Sequence, residues 1–180
     1  MRFLIEIIEA IIADGAFPSS RVGIRLSPNG AFGGMGSPDN DKMFPYVAER
    51  LSKYDVAYLH VMDGTGFGFH GLCLAVSCMD MKIAFKGTII ANVGLTKGVA
   101  EGLLRSGAVD LTCFGRPFIS NPDLVHRFEK DLPLNPDAAF ETWWHMKGTE
   151  GYTDFPFVEK NRLLKKLRFL LYWVEHVSYV

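Results

Sequence analysis

Six apolar residues near the start of the chain, Phe3, Leu4, Ile7, Ile8, Ile11 and Ile12, recur every three or four positions, and Glu6 and Glu9 fall off that face. This spacing predicts an amphipathic helix beginning at residue 2. Gly15 to Ser20 reads as a loop, and the period then changes to two. Val22, Ile24 and Leu26 alternate with Gly23 and Arg25 in a strand that Pro28 ends. If the apolar set faces covering helices, Arg25 points to the other side. There it either meets an acidic or ligand partner or reaches solvent from the strand end. Asn29 to Gly36 is a glycine-rich loop, and Ser37-Pro38-Asp39 signals a second helix with Phe44, Val47, Ala48 and Leu51 on its apolar face.

The next strand is Asp55 to Met62, followed by the loop Asp63 to Gly71, which holds four glycines and two phenylalanines in nine residues. A long, mobile, aromatic-tipped loop of this kind often lies over a ligand. His60, Asp63 and His70 have nothing to fix their mutual geometry, so they are read as ordinary strand and loop residues rather than as a metal or acid–base set. Leu72 to Phe85 is nearly all apolar and fits a buried helix or a strand. Lys86 to Gly94 is a clearer strand. Thr96 then caps a helix striped by Val99, Ala100, Leu103 and Leu104 and closed by Gly107.

Val109 to Phe114 reads as a short strand running into Gly115-Arg116. Asn121-Pro122-Asp123 starts a helix that runs to Lys130, with Asn121 as its cap. Gly115 permits close backbone approach and Arg116 offers a rigid fork of donors, so this corner fits an anion site. It fits equally a strand-turn-helix corner with a surface arginine. Pro133 and Pro136 mark irregular chain, Trp143 and Trp144 fall in a short helix, and Gly151 to Phe157 is extended and aromatic. From Glu159 onward, Lys160, Arg162, Lys165, Lys166 and Arg168 flank a leucine-rich face. This basic amphipathic helix is expected to pack on its own domain rather than on a membrane or partner.

Strands alternating with helices argue for a parallel sheet. In β/α barrels the ligand residues gather at the C-terminal ends of strands, with a phosphate often held after the last two. Those two strands end in Asn92-Val93-Gly94-Leu95 and Cys113-Phe114-Gly115-Arg116, and Arg25 lies near the end of an earlier one. Three strand ends therefore point to one anionic ligand.

Composition narrows the class without changing that picture. A 180-residue chain with 48% hydrophobic and 22% charged residues can bury a real core. A formal net charge of −1 gives no basic bias toward nucleic acid. Three cysteines, Cys73, Cys78 and Cys113, lack metal-type spacing and suit free thiols in a reducing, cytoplasmic setting. No metal site is expected. Glu6 and Glu9 argue against a secretory leader, and no apolar run reaches the roughly 18 residues of a membrane span. A chain that opens directly on an amphipathic helix hints at sequence missing upstream, and fits equally a helix that docks against later elements.

The segments R-V-G-I-R-L-S-P, Y-L-H-V-M-D-G-T-G-F-G-F-H, G-T-I-I-A-N-V-G-L-T, D-L-T-C-F-G-R-P-F-I-S-N-P-D-L-V-H-R-F and G-Y-T-D-F-P-F occur in an order that resembles the C-terminal half of the old yellow enzyme family, the FMN-dependent ene-reductases. The resemblance implies a (β/α)8 TIM barrel of which this chain holds strands five to eight in residues 1–157, whereas the tail 158–180, read as helical from its own pattern, has no counterpart in the family. It implies that Arg25 contacts the flavin ring near its N1–C2 edge. Val93, Gly94 and Leu95, with Cys113, Phe114, Gly115 and Arg116, would hold the phosphate. Tyr152 would line the rim on the substrate side, and Phe67 would lie on the loop over the flavin, with Phe69 beside it. NAD(P)H would be the hydride donor, and an α,β-unsaturated carbonyl compound the acceptor.

The chain also departs from the family pattern. The residues beneath the flavin, the pair that binds the substrate carbonyl and the tyrosine that protonates the substrate belong to the family's first four strands, so no residue here is assigned a catalytic role. Cys113 stands where the family often has glycine. The stretch Leu72 to Met81 is read as lacking a polar helix opening. A flavin oxidoreductase completed by a missing barrel half or by a second copy is therefore set against a truncated, non-catalytic half-barrel that at most binds FMN or another phosphate ligand.

Overall fold

The computed structural model describes residues 1–66, 68–144 and 148–158. Phe67 and, beyond Val158, the expected helical tail lie outside the described residues. The chain divides into two compact units, Met1–Cys113 and Phe114–Val180.

The first unit is built on a parallel sheet of β1 (Gly23–Leu26), β2 (Tyr58–Val61), β3 (Ile89–Ala91) and β4 (Leu111–Thr112), in that spatial order. Between and before the strands run α1 (Arg2–Asp14), α2 (Asn40–Leu51), α3 (Cys78–Phe85) and α4 (Lys97–Arg105). Register aligns Ile24 with Leu59 and Leu59 with Ile89, while Val61 lies beside Ala91. Side chains alternate along a strand, so these residues share one face. That face is buried with Ile8, Val47, Ala48, Leu51, Met81 and Phe85 from the helices. Burying a side chain such as Leu59 contributes roughly 2–3 kcal/mol. The opposite face carries the row Arg25, His60, Ile90 and Leu111.

The helices of this unit follow the sequence pattern with three differences. On α1 only Ile8 is buried, with Leu4, Ile5 and Ile12 packed beside it, whereas Phe3 is 75% exposed and Ile7 and Ile11 are exposed too. The contact stripe is centred on Ile8 and leaves the Phe3-Ile7-Ile11 row outside it. The second difference corrects the expected absence of a polar opening before α3. Ser77 Oγ accepts from the Asp80 N–H at 3.2 Å, and Asp80 Oδ2 accepts from the Ser77 N–H at 2.9 Å. This reciprocal cap satisfies two helix-end donors and also resolves the ambiguous apolar stretch as helix from Cys78. Thr96 caps α4 as expected, its hydroxyl accepting from the Val99 N–H, but the third difference lies in its stripe: Ala100 is buried and Leu103 partly buried, whereas Val99 and Leu104 are exposed.

In the second unit, α5 (Arg116–Ser120) starts directly after Gly115 and α6 (Leu124–Glu129) follows. Asn121 is not the cap expected of it. Its fully buried amide accepts from the Asn135 N–H at 2.7 Å and donates to Pro117 O at 2.8 Å, because a buried amide must satisfy both ends. The helix expected from Pro122 accordingly begins at Leu124. Arg127 is buried and donates to Asp123 at 2.6 Å and to the carbonyls of Pro133 and Pro156, which pins the irregular chain. A 3-10 turn at Phe140–Thr142 precedes the tryptophans, and Gly151 opens a turn, its N–H donating to Asp154 Oδ1, before the chain extends.

Ser77→Ala should lower stability by about 1 kcal/mol, the worth of an N-cap, in equilibrium urea unfolding. An unchanged midpoint would show that the cap contributes nothing.

Candidate functional site

The C-terminal ends of β1 and β3 are joined through side chains. Arg25 leaves the sheet on the face opposite the core, and its Nε–H donates to Met62 Sδ at 3.1 Å. The same sulfur accepts from Ser27 Oγ at 3.3 Å. A guanidinium Nη2 of Arg25 faces Asn92 Oδ1 at 3.5 Å. Among the described residues no carboxylate pairs with Arg25, which is exposed. A thioether and an amide oxygen are weak partners for a full positive charge, so the guanidinium keeps its capacity for an anion.

Asn92 leads into the turn formed by Val93, Gly94 and Leu95. Val93 and Gly94 have φ of 81° and 72°. A Cβ added at Gly94 would meet nothing within 4 Å, so the turn faces open space. Among the described residues, the N–H groups of Val93, Gly94 and Leu95 donate no hydrogen bond. Leu95 packs against the core and anchors the turn from below. Gly64, after β2, presses on it from the side: a Cβ there would lie 2.1 Å from Val93 O. Cys113 closes the group, its N–H donating to Ala91 O at 2.8 Å and its carbonyl accepting from Asn92 Nδ2 at 2.7 Å. Exposed cationic donors and unpaired backbone N–H groups at strand ends can hold a phosphate or another delocalised anion.

His60 sits beside Arg25 in register, and its Nε2 is buried without a hydrogen-bond partner. Burial, and then the positive charge of Arg25, hold its pKa below 6.5. The described ends of the loop after β2, a loop expected to be mobile, make several hydrogen bonds. Asn29 is buried and bonds to both Asp63 O and Val76 O at 2.8 Å. Asp63 Oδ2 accepts from the Cys78 N–H at 3.0 Å, while burial pushes the Cys78 thiol far above its ordinary value. His70 Nδ1 accepts from the Leu72 N–H at 3.0 Å, its Nε2 lies 3.2 Å from Pro28 O, and the Phe69 ring rests on it. Asp63 and His70 thus serve separate partners while His60 Nε2 has none, and among the described residues no group of three metal-ligating side chains occurs.

The structure brings together Arg25, Val93, Gly94, Leu95 and Cys113. Phe114, Gly115, Arg116 and Tyr152 belong to the second unit. Within it Phe114 packs edge-on against Phe128, the Arg116 guanidinium lies 5.5 Å from the centre of the Trp143 ring, and Tyr152 is 69% exposed. Phe67, expected on the substrate side, lies outside the described residues. Asn92, Met62 and Gly64 are contributors that sequence reasoning did not single out. Asn92 carried a usable signal, since it is the first polar residue after the apolar run of β3, at the strand end where barrel ligands bind.

Two outcomes follow from this geometry. Gly64→Ala should displace the Val93 carbonyl and lower Tm by several degrees, because the obstacle is backbone. An unshifted Tm would contradict the close approach. For His60 the folded pKa lies below the unfolded one, so the unfolded chain takes up the proton first. Its contribution is full above pH 6.5 and is lost as pH falls through the folded pKa. Urea midpoints should fall from pH 7.5 to about pH 5 less steeply in His60→Gln than in the parent, and equal slopes would refute the assignment.

A family model described as the NADH:flavin oxidoreductase / NADH oxidase family matches residues 1–135. A 12-oxophytodienoate reductase-like protein of Solanum lycopersicum is 37% identical over 158 residues, covering 88% of this chain and 41% of the relative. The 12-oxophytodienoate reductase 2 of Arabidopsis thaliana is 34% identical over 160 residues, covering 88% and 42%. Among solved structures, the old yellow enzyme homologue from Zymomonas mobilis aligns with a TM-score of 0.77 at 34% identity, over 86% of this chain and 43% of that one. Morphinone reductase in complex with tetrahydroNAD aligns at 0.75 and 32% identity, over 89% and 41%. The chain thus spans less than half the length of these relatives, and its parallel sheet with flanking helices corresponds to part of their barrel.

Proposed function

This chain belongs to the NADH:flavin oxidoreductase / NADH oxidase family, and from that premise we propose that residues 1–157 serve as about the C-terminal half, strands five to eight, of an FMN-dependent ene-reductase barrel. Bound FMN would supply hydride transfer, taking hydride from NAD(P)H and passing it to the C=C bond of an α,β-unsaturated carbonyl compound. The observation that carries the proposal is a guanidinium without a carboxylate partner, tied through Asn92 to a turn whose three N–H groups are unpaired among the described residues. These residues fit the cofactor. Open space at Gly94 admits a phosphate against the backbone, and Arg25 presents positive charge where the reduced ring carries negative charge. The tetrahydroNAD complex of morphinone reductase supports a nicotinamide as hydride donor.

In this proposal Arg25 holds the ring edge. Val93, Gly94, Leu95 and Cys113 hold the phosphate. The neutral His60 beside Arg25 leaves the positive charge of that row to the arginine alone. A cytoplasmic location fits the three free thiols. Among the described residues no helix is long and apolar enough to cross a membrane. One observation favours a second reading. β1 and β4 each have a single strand neighbour among the described residues, as in a half-barrel that binds the nucleotide without turnover.

FMN added to the purified chain should remain bound through desalting, and Arg25→Ala should raise Kd about tenfold or more. Loss of all flavin from the parent chain would refute the cofactor site. NADPH oxidation by the loaded chain without oxygen would favour the oxidoreductase, and its absence despite bound flavin would favour the binding protein.

A further inference from the structure

Asn92 is the only described side chain that bonds to both Arg25 and the end of β4. Its two amide atoms point in fixed directions. Nδ2 donates to Cys113 O at 2.7 Å, a short, well-formed bond that decides which end of the amide faces which way. A carbonyl can only accept, so the nitrogen must lie toward Cys113 and the oxygen is left toward Arg25. The remaining contact, Arg25 Nη2 to Asn92 Oδ1 at 3.5 Å, is long, but its polarity is set by the stronger bond. Asn92 itself is held by its backbone, whose N–H donates to Val61 O at 3.0 Å. The arginine has a second tether, Nε–H to Met62 Sδ at 3.1 Å. Two acceptors on neighbouring strand ends then fix the plane of the guanidinium, with neither carrying charge.

We infer that Asn92 is a positioning residue that orients the Arg25 guanidinium toward the ligand, with Cys113 O setting the direction of its amide. This inference rests on the assignment of Arg25 to the flavin ring. A neutral acceptor suits that task, because it aligns the donors and leaves the positive charge uncompensated. A carboxylate in its place would align the donors and also cancel the charge. The consequence reaches the phosphate turn as well, since Asn92 immediately precedes Val93. The residue that aims the arginine thus also starts the loop whose N–H groups are unpaired among the described residues.

The test compares Asn92→Ala and Asn92→Asp in the full chain. Aspartate keeps an acceptor for Arg25 but cannot donate to Cys113 O, whereas alanine loses both. A residue acting only by holding the end of β4 would make the two variants alike. The first readout needs no flavin: 15N relaxation of the Arg25 Nε–H group. It should report a rigid side chain in the parent, a rigid one in Asn92→Asp and a mobile one in Asn92→Ala. Equal mobility in the two variants, or no change from the parent in either, overturns the inference. The second readout is FMN affinity, where Asn92→Ala should raise Kd roughly tenfold, as when a charge-assisted contact loses its alignment. An unchanged Kd in a parent that binds FMN also overturns it. Failure of the parent to bind FMN refutes the flavin assignment of Arg25 instead, and the relaxation result still decides whether Asn92 orients the arginine.

Discussion

The alternation of side chains along β1 places Ile24 in the core and Arg25, one residue on, on the opposite face. Every other feature of the site depends on this separation. Because the sheet is parallel and in register, the same alternation runs across β2 and β3, so Leu59 and Ile89 continue the apolar row while His60 and Ile90 continue the other. The helices cover the first row and exclude water from it. The second row is left for polar work, with its charge concentrated on a single arginine.

Backbone economy at the strand ends does the rest. Where β3 stops, the chain turns through two residues with positive φ, and the space for that turn exists because Gly64 has no side chain to collide with Val93 O. Asn92 and Cys113 convert two separate strand ends into one hydrogen-bonded rim. Below the rim Leu95 reaches into the core, so the packing that stabilises the fold also holds the turn in place.

The apolar period of α2 and the alternation in β1 could be read directly, since burial and periodicity report the same physics, whereas on α4 the expected stripe is buried only at Ala100 and partly at Leu103. Arg25 and the Val93-Gly94-Leu95 turn could be found from their positions at strand ends. The rest could not be read, for local reasons. The Ser77–Asp80 cap is hidden in an apolar run, where two polar residues among many hydrophobes look incidental. Asn121 precedes Pro122 and Asp123, a sequence typical of helix starts, yet its amide is taken by Asn135 and Pro117, which no local pattern reveals. The exposed row on α1 shows that periodicity gives a helix its stripe but not the direction in which the stripe rolls. Asn92 was overlooked because a single polar residue after a strand also fits an ordinary turn.

Val93 combines a branched β-carbon with φ of 81°, a backbone region that such side chains rarely occupy. Holding it there costs of order 1–3 kcal/mol, met by the neighbours that leave the chain no other route. The position therefore filters exchanges asymmetrically. Glycine or asparagine would release torsion and let the turn breathe, whereas isoleucine or threonine would keep the bend taut. How stiffly the rim grips what enters it can thus be tuned by a residue whose side chain need never touch the guest.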